Sequence, residues 1–274
     1  MAEVESATDV LCRWQKQRLN TIHYGRTDYG MGPDQVTVLA YYWGARSDRP
    51  DTQFYRIESA FRETWLNCGM MKSVIVTDSP TDEMNAFAAK FASVEIQVEP
   101  SLIPGNLYTM SADCDGKFAE RFLTDYLMVV QDDGFPLKPG LDRFLGTWDF
   151  IGAPYVRDKF IPRLVARMFN LWTSNGGFSL RSKKMCNLAA KYWKEQYHAY
   201  PDCHAVGEDA YYTETLIKEK REYRRSMKLA DNRSAIAFAW DCVVPWDVRE
   251  LPFGFHRAET FVDFVRRGWI DVMS

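Results

Sequence analysis

The run Tyr126-Leu-Met-Val-Val130 passes without interruption into Gln131-Asp-Asp-Gly134. This junction constrains the chain more than any other stretch. The run is rich in strand formers and shows no polar alternation, so it predicts a central strand buried on both faces, of the kind found in parallel or mixed sheets covered by helices. Two neighbouring acids then fall where the strand ends, and in open α/β sheets ligands bind outside the carboxyl ends of the strands. Paired carboxylates there suit a divalent cation, which prefers oxygen ligands. Asp-Asp-Gly followed by Pro136 is also good turn chemistry, so these residues alone leave a binding site and a plain turn both open.

The segments before this strand alternate in period. A helix is predicted from Ser6 to Leu19, followed by a glycine-rich loop from Gly25 to Pro33. Strands are predicted over 36–43, 72–78 and 94–98, with helices over 54–66 and 84–91 between them. A further helix starts at Asp113 or Asp115, after a loop-like stretch from 100 to 111. Strand and helix in turn are the signature of βαβ units. After the central strand, 149–155 reads as a short strand interrupted by Pro154. Residues 157–172 form a basic, apolar segment that suits a cover or lid. Residues 184–197 are helical, Gly207-Glu208-Asp209 opens another helix, and Ala235 to Asp241 reads as a strand.

Composition limits the function classes. A net charge of −3 and a pI near 5.9 argue against nucleic acid as the main partner. The six cysteines, Cys12, Cys68, Cys114, Cys186, Cys203 and Cys242, contain no Cys-x-x-Cys pair. That is neither a zinc spacing nor a disulfide framework, and it predicts reduced thiols in a cytoplasmic protein. Cys203-His204 is a weak soft-ligand pair, since adjacent residues rarely both ligate. No signal peptide or membrane-spanning run is present in the sequence.

Several residues have both a functional and a structural account. Tyr42 lies near the end of the first strand, and Arg46 and Arg49 follow in a loop that can meet a diphosphate or carry plain surface cations. Asn175-Gly176-Gly177 lets backbone approach a ligand closely, and Asn-Gly is equally a hairpin signal. Glu208 and Asp209 are favoured at a helix start by the macrodipole alone. His256 lies in the rigid block Pro252-Phe-Gly-Phe-His-Arg257, and a lone histidine is usually just hydrogen-bonded.

Taken together, Val129-Val-Gln-Asp-Asp133, Asp149-Phe-Ile-Gly-Ala-Pro-Tyr155, Ser174-Asn-Gly-Gly-Phe-Ser-Leu-Arg-Ser182, Glu208-Asp209, Ala237-Phe-Ala239 and Pro252-Phe-Gly-Phe-His-Arg257 resemble a glycosyltransferase-like domain family. Its members occur in polysaccharide systems, and for most of them the reaction is unassigned. The resemblance covers about residues 36–257. It implies an α/β, GT-A-like fold: a mixed, mostly parallel sheet flanked by helices, spanning residues 35–274, with residues 1–34 as an N-terminal helical and loop extension. It implies a nucleotide-diphospho-sugar donor, with UDP as the default base, a glycan or glycoconjugate acceptor, and Mn²⁺ or Mg²⁺.

The resemblance also implies roles for individual residues. Asp133 and His256 would hold the metal. Asp132, Gln131, Asn175, Gly176, Gly177, Tyr42 and Arg46 would contact the donor or substrate. Asp209, with Glu208 as the second choice, would be the catalytic base of an inverting reaction. Gln131 departs from the family's Asp-x-Asp pattern, which keeps open a non-catalytic sugar- or nucleotide-binding module. An aspartyl-phosphate phosphohydrolase would also want Asp-x-Asp, and Asp132-Asp133-Gly134 has the wrong spacing. The N-terminal segment is the one candidate for an oligomer contact.

Overall fold

All seven residues of β1 (Val36–Tyr42) are buried, and they feed two different cores. Val36, Val38, Ala40 and Tyr42 face one apolar cluster, while Leu39 and Tyr41 face another. Side chains alternate along a strand, so a run buried at every position must lie between two layers. The computed structural model describes residues 5–42, 54–99, 121, 124–155, 173–199, 209, 211–241 and 249–272.

Among these residues a six-stranded sheet has the order β3-β2-β1-β4-β6-β5. Here β2 is Lys72–Thr77, β3 is Val94–Val98, β4 is Tyr126–Val129, β5 is Phe150–Tyr155 and β6 is Thr173–Ser182. Strands β1 to β4 are parallel to one another, and β6 runs antiparallel to both β4 and β5. The expected class, a mixed and mostly parallel sheet flanked by helices, is therefore the observed one. β4 lies between β1 and β6, with Leu127, Met128 and Val129 fully buried.

One face of the sheet is covered by α2 (Phe54–Cys68) and α3 (Asp82–Lys90) through Phe61, Trp65 and Phe87. The other is covered by α4 (Lys183–Ala199) through Met185 and Ala189. Thr81 caps α3, its hydroxyl accepting from the Met84 N–H at 3.3 Å. The expected strand over Ala235–Asp241 is corrected. A helix, Asn232–Phe238, runs first, and only Ala239–Asp241 is strand, β7. Asp231 decides this by capping the helix, its carboxylate accepting from the Ser234 N–H at 2.7 Å. Two of the four residues of Ala-Ile-Ala-Phe are alanine, the strongest helix former, so the alternation does not override the cap.

β7 pairs in parallel with β8 (Gly254–His256), which puts Asp241 abreast of His256. Next to this pair is a third cluster, in which Leu11 and Trp14 of α1 (Ala7–Thr21) meet Phe261 and Phe264 of the last helix, Ala258–Arg266. Burying each such aromatic is worth about 1.5–3 kcal/mol. α1 starts at a capping box between Ser6 and Asp9, and it packs on the body of the protein. Arg46, Arg49, the 100–111 loop, the helix from 113 or 115, the 157–172 segment, Cys203-His204 and Glu208 lie outside the described residues.

A buried polar network ties the N-terminal segment to α2. The Glu63 carboxylate accepts from Arg18 at 2.7 and 3.0 Å and meets His23 Nε2 at 2.8 Å. Burial works to raise the Glu63 pKa, but the His23 and Arg18 contacts outweigh it and hold the carboxyl below its ordinary value. A depressed folded-state pKa adds stability above the unfolded value of about 4.3, and this is lost as pH falls through the folded value. Glu63→Gln should therefore cost about 3–5 kcal/mol at pH 7. In urea melts at pH 7 and pH 3 the gap between wild type and variant should shrink at the lower pH; a gap independent of pH would refute the ion-pair account.

Candidate functional site

Gln131 and Gly134 exchange backbone hydrogen bonds, Gln131 N–H to Gly134 O at 2.9 Å and Gly134 N–H to Gln131 O at 3.1 Å. Asp132 and Asp133 therefore occupy the tip of a tight turn at the carboxyl end of β4. The turn and the site are not alternatives here, because the turn presents the acids. Asp132 is held from two sides: its carboxylate meets Arg56 Nη1 of α2 at 2.8 Å, and its carbonyl accepts from Gln15 Nε2 of α1 at 2.7 Å. Burial and the adjacent Asp133 charge push the Asp132 carboxyl up to about 6, against the pull of Arg56 and His256. Asp133 uses its carbonyl to accept from the Arg257 N–H at 2.8 Å, which leaves its carboxylate turned towards His256.

β8 brings the histidine. His256 Nε2 lies 3.0 Å from Gln131 Oε1 and 3.7 Å from Asp133 Oδ1. Its Nδ1 lies 3.6 Å from Asp241 Oδ2. Burial disfavours the charged ring, but Asp241 and Asp133 more than compensate and hold the His256 pKa above its ordinary value. Sequence reasoning missed Asp241. Its one signal was an acid at the end of an apolar run, and the β7–β8 register that aligns it with His256 is a long-range pairing. The Asp241 carboxylate is buried, accepts from Asn175 Nδ2 at 2.8 Å and meets Arg257 Nε at 3.1 Å. Arg257 is the one non-glycine residue with positive φ (74°) among those described. Such backbone costs about 1–3 kcal/mol and persists where its surroundings over-determine it.

Asn175-Gly176-Gly177 does not form a hairpin turn. It lies inside β6 as a bulge: between the pairs Gly152–Ser179 and Pro154–Ser174, β6 spans five residue steps and β5 only two. The bulge is held from within. Asn175 Oδ1 accepts from the Gly177 N–H at 2.6 Å, and Gly176 O accepts from Ser179 Oγ and from Arg181 Nη2 at 2.8 and 3.0 Å. Gly177 faces the histidine so closely that a Cβ there would lie 2.3 Å from His256 Nε2 and 2.8 Å from Gln131 Oε1. Asn175, Gly177, Gln131, Asp133 and His256 thus converge.

Tyr42 is buried in the core against Phe54, edge to face at 5.7 Å; burial, with Glu83 and Asp78 nearby, raises its pKa. Asp209 is a half-buried helical residue whose carbonyl accepts from Thr213 Oγ1 at 2.7 Å. Among the described residues no three His, Cys, Asp or Glu side chains come together as a metal cage, and no helix is long and apolar enough to cross a membrane.

A sequence-family profile described as "Protein of unknown function (DUF5672)" matches residues 109–256, which is more than half of the chain. No curated protein sequence matches. Among solved structures, the chain is similar to a mannosyltransferase, PcManGT, from Pyrobaculum calidifontis in complex with GDP-Man and Mn²⁺. Identity is 11%, coverage is 67% of this chain and 58% of that one, and the TM-score is 0.36. It is also similar to the apo-form glycosyltransferase GlyE of Streptococcus pneumoniae TIGR4, at 12% identity, 88% and 61% coverage and a TM-score of 0.48. The chain thus spans about 58–61% of the length of these structures, and similarities this distant do not assign an activity.

The packing around Gly177 predicts that Gly177→Ala pushes the imidazole away from Gln131. Overpacking of this kind costs about 1–3 kcal/mol. A denaturant melt should show that loss, while Gly146→Ala, at a position with open space and positive φ, reports the cost of backbone strain alone. A Gly177→Ala variant with unchanged stability and an unmoved His256 NMR signal would contradict the geometry.

Proposed function

The chain belongs to the DUF5672 family of proteins of unknown function, and we propose that it is a metal-dependent glycosyltransferase. It would move a sugar from a nucleotide-diphospho-sugar to a hydroxyl of a glycan or glycoconjugate. The observation that carries this reading is the convergence of Asp133, Gln131 and His256 at the carboxyl end of the central strand, where ligands of open α/β sheets bind. The motif resemblance supplies the reaction class.

The donor set fits Mn²⁺ or Mg²⁺. Asp133 offers carboxylate oxygen and His256 a ring nitrogen, with the Gln131 amide oxygen beside them. Two or three protein groups are too few for a closed cage, but hard divalent cations in phosphate-handling sites commonly take one or two carboxylates and complete their shell with substrate oxygens and water. A cation there would supply Lewis-acid stabilisation of the departing diphosphate. Asp132, already paired with Arg56, would fix the turn more than ligate. The Gly176–Gly177 backbone would lie against the donor, with Tyr42 and Arg46 as further donor-side candidates.

Asp209 is proposed as the base, with Glu208 as the alternative. It would accept the proton of the acceptor hydroxyl as that oxygen bonds to the anomeric carbon and the bond from that carbon to the diphosphate breaks, with inversion. Residues 35–274 would form the catalytic domain and residues 1–34 its extension, and UDP is the default donor base. A second reading, a binding module without turnover, is favoured by two features: Gln131 replaces an acid, and Asp132 is engaged by Arg56.

Thermal unfolding with UDP-, GDP- and dTDP-sugars, each with Mn²⁺ or with chelator, tests the site. A donor at 100 times its Kd adds about 2.7 kcal/mol. A metal-dependent shift with one nucleotide class, absent in Asp133→Ala and accompanied by release of nucleoside diphosphate, is the expected result. Asp209→Asn should keep the shift and lose at least about 100-fold in rate. A shift without turnover in wild type would favour the binding module, and no shift with any donor would sink both readings.

A further inference from the structure

Asp241 is a buried charged group beside His256 that has no part in the proposed reaction. Asp241 is 1% exposed, and a carboxylate so placed is costly unless its oxygens are compensated. Arg257 Nε faces Oδ1 at 3.1 Å, and Asn175 Nδ2 donates to Oδ2 at 2.8 Å. Oδ2 also faces His256 Nδ1 at 3.6 Å, an ion-pair distance longer than a hydrogen bond. His256 Nδ1 is itself buried and has no hydrogen-bond partner among the described residues. The acid that faces it is a carboxylate held by Asn175 and Arg257, side by side with the ring through the β7–β8 register. The opposite ring nitrogen, Nε2, points at Gln131 and Asp133.

We propose that Asp241 is a positioning residue for His256: its pinned carboxylate holds the ring hydrogen on Nδ1 and so presents the Nε2 lone pair to a divalent cation shared with Asp133. This inference rests on the metal site of the proposed function. A metal-binding histidine commonly turns its second nitrogen to a carboxylate or carbonyl, which fixes the tautomer and the ring orientation and raises ligand basicity. In the metal-free protein, with the hydrogen on Nδ1, Gln131 would turn its amide NH₂ to Nε2, a flip of one side chain, and would turn its oxygen back when a cation takes the Nε2 lone pair. The same arrangement gives Asn175 a structural task. It donates to Asp241 and accepts from Gly177, so the bulge of β6 and the carboxylate behind the histidine are set by one residue.

The test is a cycle of variants of the full chain (wild type, Asp241→Asn, His256→Ala and the double variant), titrated with Mn²⁺ alone and read by the loss of the free Mn²⁺ EPR signal. Asp241→Asn should weaken Mn²⁺ binding about 10–100-fold and have no further effect once His256 is alanine. Equal losses in both backgrounds would mean that Asp241 supports the fold and does not act through His256, and Mn²⁺ binding unchanged by Asp241→Asn would overturn the inference while sparing the metal site. No Mn²⁺ binding by wild type would overturn the metal site and the inference together. Wild type alone offers a check that survives a variant's failure to fold. Long-range ¹H–¹⁵N correlation of the metal-free protein, at a pH where His256 is neutral, should show the hydrogen on Nδ1; a ring with its hydrogen on Nε2 would overturn the proposal.

Discussion

β4 is hydrogen-bonded along both edges, to β1 and to β6, and its last three residues are buried on both faces. A strand enclosed in this way offers no place for charge, so the first polar side chains after it must appear together where it ends. Turn chemistry then decides their geometry. The reciprocal Gln131–Gly134 bonds leave Asp132 and Asp133 at a tip with different surroundings. One acid is drawn back to Arg56 and Gln15, and the other is left facing His256.

The rest of the site is built by compensating buried charge. Asp241 is matched by Arg257 and Asn175, and Asp132 by Arg56. The unusual φ of Arg257 belongs to the same economy, since its N–H reaches Asp133 O while its guanidinium reaches Asp241. Removing one member of such a set leaves its partner buried and unpaired, which costs more than the pair itself contributes. Strain of this kind is where an assembled site differs from an idealised fold.

Much of the architecture was legible because it is local. The periods of β1, α2, β2, α3 and β3 are short-range patterns, and their observed spans match the expected ones to within a few residues. The stretch before β7 reads as strand from Ala-Ile-Ala-Phe alone, and the Asp231 cap makes it a helix. Asn175-Gly176-Gly177 suggested a hairpin because the dipeptide signal is local. Its placement as a bulge depends on β5, whose residues pair with partners 18 to 31 positions away along the chain. The N-terminal helix was set outside the family resemblance, yet Gln15 supports the acidic turn.

Local pattern along the chain is enough to specify a sheet covered on both faces and the position of the acids at the end of its central strand. Hydrophobic period and turn chemistry act over a few residues and need no partner. Which acid faces the histidine, that Asp241 stands behind it, and that Gly177 must be glycine depend on contacts made across the fold. Each of these is a meeting of residues from distant segments: β4 with β8, β7 with β8, and β6 with both. Pairing over such separations is set by the register of whole strands, and no window along the chain contains it.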